Sequence, residues 1–348
     1  MKKNILIDYR WSGKSGIGTM VDNLLPHLCQ KFNTVYLLSN DDNLSEKDNI
    51  KIIKIHSKIY SPLEQFEILF KKPKNCDFFW FPNYNAPIFL LKNKFIHIHD
   101  LSMLDGDINI MKRIYAYFLM LLNIKTSTKI FTVSKFSKIN ILNKFRFLSN
   151  TKRIKVVYNG VSDKFFEISK EVNHSILSVG IVKKRKNFIV LVNAFKKLVK
   201  KKNFKDYKLF IVGQKEGMND IDKNVIKHQS DNIIFTGKIP YHELLEYYKR
   251  ANIFVFPTKF EGFGIPLIEA MSLGCPVLAS DINIFKEISE NGINYFANNN
   301  KKSLIENLEY LLKNEKNLYS KITLAKKISD KYSWKNCANQ TLEIYKKI

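Results

Sequence analysis

Glu261 and Glu269 stand in the stretch IFVFPTKFEGFGIPLIEAMSLGCPVLASD (253–281), and the residues between them suit the binding of an anion. An apolar run leads into a loop that contains Gly262 and Gly264. Pro266 follows where a first helical turn should begin, and Gly274 is a natural stop for that helix. A strand, a glycine loop and a helix in this order turn free backbone N–H groups toward a phosphate. Glu261 in the loop is placed to accept hydrogen bonds from a sugar, and Glu269 in the first turns of the helix to accept them from a ribose. Alone, Glu269 would read as a solvated helix residue. The glycines and proline in register with it favour a site.

A second group is the cationic run KKRKN (183–187), which follows the apolar SILSVG and opens a helix. Elsewhere the signals are weaker. His97 and His99 share one face of the strand KFIHIHD, but no Cys, His or acidic partner completes a metal set, so no metal is expected. Two Asp-x-Asp triplets, DGD (105–107) and DID (220–222), read as a turn and part of a polar stretch. Near the start, Gly13-Lys14-Ser15 imitates the end of a P-loop. A P-loop needs glycine five residues before that Gly, and the position holds Asp8.

The elements that must position these groups alternate regularly. In the first half we read strands at NILID, TVYLL, FFWF, FIHIH and KIFTV, and in the second at HSILSVG, YKLFIVG, NIIFTG, NIFVF and PVLAS. Segments apolar at helical spacing, such as NFIVLVNAFKKLVKK, HELLEYYKR and SLIENLEYLLKN, lie between them. The alternation predicts parallel sheets covered on both faces, twice over, with a break near VVYNGVSDKFFEISKEVNH. IYAYFLMLLNI (114–124) is the greasiest stretch, too short to span a bilayer, and is expected as a buried helix, with an interfacial helix as the alternative.

The pattern E-G-F-G-x-P-x-x-E resembles the signature of the retaining glycosyltransferases of family 4, the group 1 glycosyltransferases of GT-B architecture. The resemblance runs along the whole chain. GKSGIGTMVDNLLPHL looks like the family's N-terminal glycine loop and helix. FPNYNAP and IHIHDLSML resemble strand ends of the acceptor domain, SVGIVKKRKN the donor phosphate loop, and FTGKIPYHELLEYYKRA the segment lining the base pocket. YSWKNCANQTLEIYKKI resembles a terminal helix that crosses back onto the first domain. The fold class implied is α/β: two Rossmann-like, doubly wound parallel-sheet domains facing a central cleft. The expected limits are 1–165 for the acceptor-binding domain, 166–330 for the nucleotide-sugar domain and 331–348 for the terminal helix.

The resemblance also implies roles. Glu261 would hold hydroxyls of the donor hexose and Glu269 the ribose hydroxyls. Lys186 would bind the diphosphate with Arg185, near Gly180 and the amides of Gly262, Phe263 and Gly264. Lys238 and Ile239 fall in the base-pocket segment. Gly16 and Gly18, with Gly13, would let the backbone approach the donor diphosphate. His99 would lie beside the transferred sugar, with Asp100 fixing its tautomer or the loop. The arginine that many members carry after the phosphate-loop glycine is Ile181 here, and Arg185 is the candidate replacement. Physical chemistry supports these roles independently. Cleaving the bond between an anomeric carbon and a nucleoside diphosphate puts negative charge on the departing phosphate, which fixed cations and backbone dipoles stabilise. With both cations present no metal or other cofactor is expected.

The reading is therefore a retaining hexosyltransferase that uses a nucleotide-sugar donor, with GDP-mannose favoured and a UDP-sugar open. The acceptor would be a saccharide or lipid-linked saccharide in surface polysaccharide or lipopolysaccharide assembly. Nucleotide-sugar epimerisation or hydrolysis on the same fold is an alternative. The net charge of +25 raises a nucleic-acid reading. The charge is spread over both halves of the chain without aromatic–basic interleaving, so nucleic acid is not the expected partner. A weak pull toward an anionic membrane is expected instead. Four scattered cysteines suit a reducing cytosol, and the expected location is cytoplasmic, peripheral on the inner face of the cytoplasmic membrane.

Overall fold

The structure, a computed structural model, describes residues 3–104, 108–148, 153–161, 173–214 and 220–348. Met1–Gly160 and Trp334–Ile348 form one unit, and Val161–Ser333 form another.

The first unit is built on a parallel sheet of seven strands, β1 (Asn4–Asp8), β2 (Thr34–Ser39), β3 (Ile50–Lys54), β4 (Phe78–Phe81), β5 (Lys94–His97), β6 (Lys129–Thr132) and β7 (Ile154–Val156). They lie in the order β3-β2-β1-β4-β5-β6-β7. Because both faces are covered, the FFWF of β4 is buried at every position, and its side chains alternate between two cores. Phe79 and Phe81 meet α2 (Pro62–Lys71), α3 (Ile110–Thr126) and α4 (Lys135–Lys144) through Ile68, Leu119, Met120 and Ile141. Phe78 turns the other way, toward Phe32 after α1 (Ser15–Cys29). Side-chain oxygens of Ser61, Asn109 and Ser134 accept the amides of Leu63, Met111 and Ser137 and so start α2, α3 and α4.

The helix expected to be buried is α3, and the structure corrects that reading. Ala116, Leu119, Met120 and Ile124 enter the core, while Ile114, Phe118 and Leu122 face outward. The last helix, α13 (Trp334–Lys346), returns to the first unit. There Tyr345 sits among Phe32, Phe78, Phe95 and Phe131, with ring centroids 5.8, 5.3, 4.5 and 6.2 Å away.

The second unit repeats the plan with β8 (Asn173–Val179), β9 (Lys208–Val212), β10 (Ile233–Gly237), β11 (Ala251–Phe256), β12 (Val277–Ser280) and β13 (Asn294–Phe296). These six parallel strands lie in the order β10-β9-β8-β11-β12-β13. From β8 the chain steps outward to β9 and β10 through α5 (Phe188–Leu198) and α6 (Asp220–Ile226). It then returns over α7 (Tyr241–Arg250) to the other side of β8 and runs out through α8 (Ile265–Ser272) and α9 (Asn283–Ser289). Connections thus diverge between β8 and β11, the kind of crevice where open α/β sheets take ligands. α10 (Lys301–Lys313) packs on α5, and α11 (Glu315–Tyr319) and α12 (Ile322–Ser329) complete the unit. The DGD triplet lies outside the described residues, and DID opens α6. Among the described residues no helix is long and apolar enough to cross a membrane.

Candidate active site

The two motifs found separately in the sequence are one site, placed where β8 and β11 diverge. β8 ends at Val179, and the chain passes Gly180 into a 3₁₀ turn, Lys184–Lys186. β11 ends at Phe256 and leads into Thr258–Gly264. The Lys259 amide donates to the Arg185 carbonyl at 2.8 Å and joins the two loops. The Thr258 hydroxyl, fully buried, lies 3.1 Å from the carbonyl oxygens of Arg185 and Phe260 and 3.2 Å from Glu261 Oε1.

Glu261 is the centre of the arrangement. Its Oε1 is 2.5 Å from Lys186 Nζ and 3.2 Å from Arg185 Nη1, which also donates to the Phe260 carbonyl at 3.2 Å. Lys186 Nζ lies 4.8 Å from the centre of the Phe256 ring, a cation–π contact that holds the ammonium from below. Burial pushes the Glu261 carboxyl up, but Lys186 and then Arg185 outweigh it and hold the group below its ordinary range. Two cations against one carboxylate leave the trio with a single net positive charge. Gly180 makes room for it, since a Cβ there would come 3.2 Å from Lys186 Cε. Such a cluster can grip a hydroxylated sugar through the carboxylate and a phosphate through the cations.

Beside it, Gly264 takes a left-handed conformation (φ +103°) at the N-cap of α8. A side chain there would be strained and would meet the Phe285 ring at 2.9 Å. Phe263 is buried and packs its ring against Tyr332, 5.6 Å between centroids. Just over one turn into α8, the buried Glu269 accepts from the Tyr248 hydroxyl at 3.1 Å. Burial pushes its carboxyl up to about 7, and the hydroxyls of Tyr248 and Tyr241 only partly offset this. Lys238 is exposed and Ile239 half-buried in the loop after β10. The Gly213 amide donates to the Gly237 carbonyl at 3.0 Å, which ties that loop to the end of β9.

The remaining expected residues belong to the first unit. His99 Nε2 is 2.9 Å from the Pro82 carbonyl. A carbonyl only accepts, so Nε2 carries the proton and Nδ1 is left as an acceptor. Burial lowers the His99 pKa and so favours the neutral ring. Asp100 Oδ1 instead accepts the amide and hydroxyl of Ser102 at 2.9 and 2.6 Å, so it fixes the loop. His97 Nδ1 accepts from Trp80 Nε1 at 2.9 Å as a satisfied core group. Gly16 and Gly18 correct an expectation: they lie inside α1, not in a loop. Gly18 is small because a Cβ would come 2.3 Å from the Trp11 carbonyl, where the chain leaving β1 crosses the helix start.

Sequence reasoning missed several supports. Thr258 and Tyr248 escaped it, although a hydroxyl two residues past a strand and a tyrosine seven residues after Tyr241 were visible signals. A buried ion cluster in the first unit also escaped. Arg10 Nη2 bridges Asp8 Oδ2 at 2.7 Å and Glu64 Oε2 at 2.8 Å, all without solvent exposure. Burial pushes Glu64 up to about 7 despite Arg10. The cluster ties the segment after β1 to α2 at the point where β1 and β4 diverge. No signal in the sequence pairs Arg10 with a glutamate so far along the chain. Among the described residues no three His, Cys, Asp or Glu side chains are grouped to hold a metal ion.

Comparison with known proteins extends this geometry. Residues 162–328 match the family model described as glycosyl transferases group 1. The O-antigen chain mannosyltransferase RfbU of Salmonella typhimurium is 32% identical over 228 residues, which cover 64% of this chain and 62% of that protein. The match thus spans about three-fifths of that relative's length. Among solved structures, sucrose-phosphate synthase from Thermosynechococcus elongatus superposes with a TM-score of 0.81 at 16% identity, covering 100% of this chain and 99% of its own. Anabaena HepE in complex with UDP-glucose gives 0.80 at 14% identity, over 99% and 100%. These likenesses show the GT-B fold.

Proposed function

We propose that the chain, whose residues 162–328 match the family model described as glycosyl transferases group 1, moves a hexose from a nucleotide sugar to a hydroxyl of a saccharide or lipid-linked acceptor, in surface polysaccharide or lipopolysaccharide assembly. The observation that carries the reading is the Lys186–Glu261–Arg185 cluster, with two cations and one carboxylate drawn from two strand ends. Glu261 holds hydroxyls of the sugar. Lys186 and Arg185, with the amides at the start of α8, take up the charge that builds on the departing diphosphate. Glu269 receives the ribose hydroxyls. Arg185 stands in for the cation absent at Ile181. The transfer retains configuration, with the leaving phosphate taking the acceptor's proton on the same face as the bond that breaks.

Mannose from GDP-mannose is the favoured donor, supported by the mannosyltransferase name of the Salmonella relative. The UDP-glucose held by the HepE structure makes a UDP-sugar the competing one. A lipid-linked acceptor would be met at a membrane surface, and the net charge of +25 favours an anionic one. Melting curves with a panel of nucleotide sugars test the donor, because a bound donor raises the melting temperature by mass action. The largest shift is expected from GDP-mannose. Glu261→Ala should abolish transfer in a protein that still folds, and near-normal turnover in it would refute the assignment.

A further inference from the structure

Large apolar side chains are exposed on one side of the first unit in a connected arrangement. On α2, Leu63, Phe66 and Phe70 are 71%, 52% and 85% exposed and follow one another at helical spacing, turned away from the core residue Ile68. On α3, Ile110, Ile114, Phe118 and Leu122 recur at every fourth residue with 50%, 45%, 55% and 38% exposure, and Met111 adds 70%. Between the helices runs the segment 82–92, where Phe89 and Leu91 are 64% and 65% exposed. Both helices hold that segment. Gln65 Oε1 of α2 accepts the Ile88 amide at 3.0 Å, and Asn123 Nδ2 of α3 donates to the carbonyls of Tyr84 and Ala86 at 3.0 and 2.8 Å. α2 and α3 also share one core on the same sheet face, so their outward rows look to the same side of the first unit, with the segment 82–92 held by both helices. Single exposed apolar residues need no explanation, whereas a contiguous patch marks a partner.

Five cations, Lys71, Lys92, Lys112, Arg113 and Lys125, stand along these elements against two carboxylates, Glu64 and Glu67. Lys92, Lys112 and Lys125 are exposed, as is Lys71, which pairs with Glu67. α3 contains no acidic residue. On α2, Glu64 is buried against Arg10, and Glu67 is engaged by Lys71, the Ser57 hydroxyl and the amides of His56 and Ser57. An apolar face rimmed by lysines fits an interface of acyl chains and lipid phosphates, with the long lysine stems reaching outward to the headgroups. A second copy of the chain would bury the same apolar rows but would set one lysine rim against another.

We propose that this face, made by α2, the segment 82–92 and α3, docks the protein on an anionic lipid bilayer. The proposal deepens the reading that a lipid-linked acceptor is met at a membrane, and it rests on that reading for its purpose alone. The test is flotation of the full chain with vesicles of phosphatidylcholine, with and without phosphatidylglycerol. Binding is expected on the mixed vesicles and should weaken as salt is raised. The double variant Phe70→Ser, Phe118→Ser should float at least about tenfold less, since each exposed ring gives up its burial in lipid. Both rings are exposed, so circular dichroism should be unchanged. Its melting shift with GDP should also be unchanged, which separates a failure of docking from a failure of the transfer reading. Equal flotation of variant and parent would overturn the proposal, as would a parent that ignores both vesicle types. A dimer that the double substitution dissolves would overturn it too, in favour of self-association.

Discussion

Lys186→Met removes the ammonium at the centre of the site and leaves an apolar stem of similar length over Phe256. At 2.5 Å the attraction to Glu261 is about 7 kcal/mol for an effective dielectric of about 20, before the cost of burying both groups. Breaking one partner of a buried pair costs roughly 3–5 kcal/mol, and the lower end applies here because Arg185 remains at 3.2 Å, 38% exposed. The pH dependence gives the reasoning its sign. In the parent the Glu261 pKa is depressed, so the pair's stabilisation is present above the unfolded value of about 4.3 and is lost as pH falls through the folded one. In the variant burial acts with less opposition and the pKa rises. The carboxylate then destabilises at pH 8 and is relieved by protonation as pH falls. The gap in melting temperature between parent and variant should therefore narrow from pH 8 to pH 5. Turnover, followed as nucleotide released per acceptor glycosylated, should fall by about 10²–10³, the effect of losing one preorganised group on a developing anion. A gap of equal size at both pH values would refute the electrostatic account of the pair. A loss of turnover below about tenfold would refute the catalytic one.

Three further outcomes follow from the same geometry. Glu269 has its pKa raised to about 7, so its charge costs stability that grows as pH rises from the unfolded value through the folded one. Glu269→Gln should thus melt higher than the parent at pH 8 and equally at pH 5, while its donor KM rises; a lower melting temperature at pH 8 would contradict this. Gly264→Ala places a side chain at φ +103° and against Phe285, and should destabilise by about 1–3 kcal/mol in denaturant titration. On the proposal that Arg185 and Lys186 supply the charge at the leaving group, transfer should be unchanged by EDTA. Loss of activity that Mg²⁺ restores would show otherwise.

The two α/β units were legible because their central strands are apolar throughout, as in NIFVF, and their helices are periodic. The E-G-F-G loop and the cationic run were legible because glycine, proline and charge change local chemistry visibly. Three strands escaped: β3 (IKIIK), β7 (IKV) and β13 (NYF). Each is an edge of its sheet, and two are only three residues long, so one-sided burial leaves too little pattern to read. The outward face of α3 was misread because leucine, isoleucine and phenylalanine carry the same signal whether they meet a core or an outside partner. Gly16 and Gly18 were read as loop residues because glycine spacing does not say whether a backbone bends or merely passes close to another. The meeting of Lys186 with Glu261 depends on β8 lying next to β11, and strand order is a property of the whole sheet.

The aromatic nest around Tyr345 has a consequence for biosynthesis. Residues 161–333 are contiguous and can mature as they leave the ribosome, whereas the earlier-made unit lacks a tyrosine at the heart of its own interior until Trp334–Lys346 has been translated. The usual vectorial order, in which the part synthesised first is finished first, is inverted, and a nascent chain halted before Trp334 would hold a completed second unit and an unfinished first one.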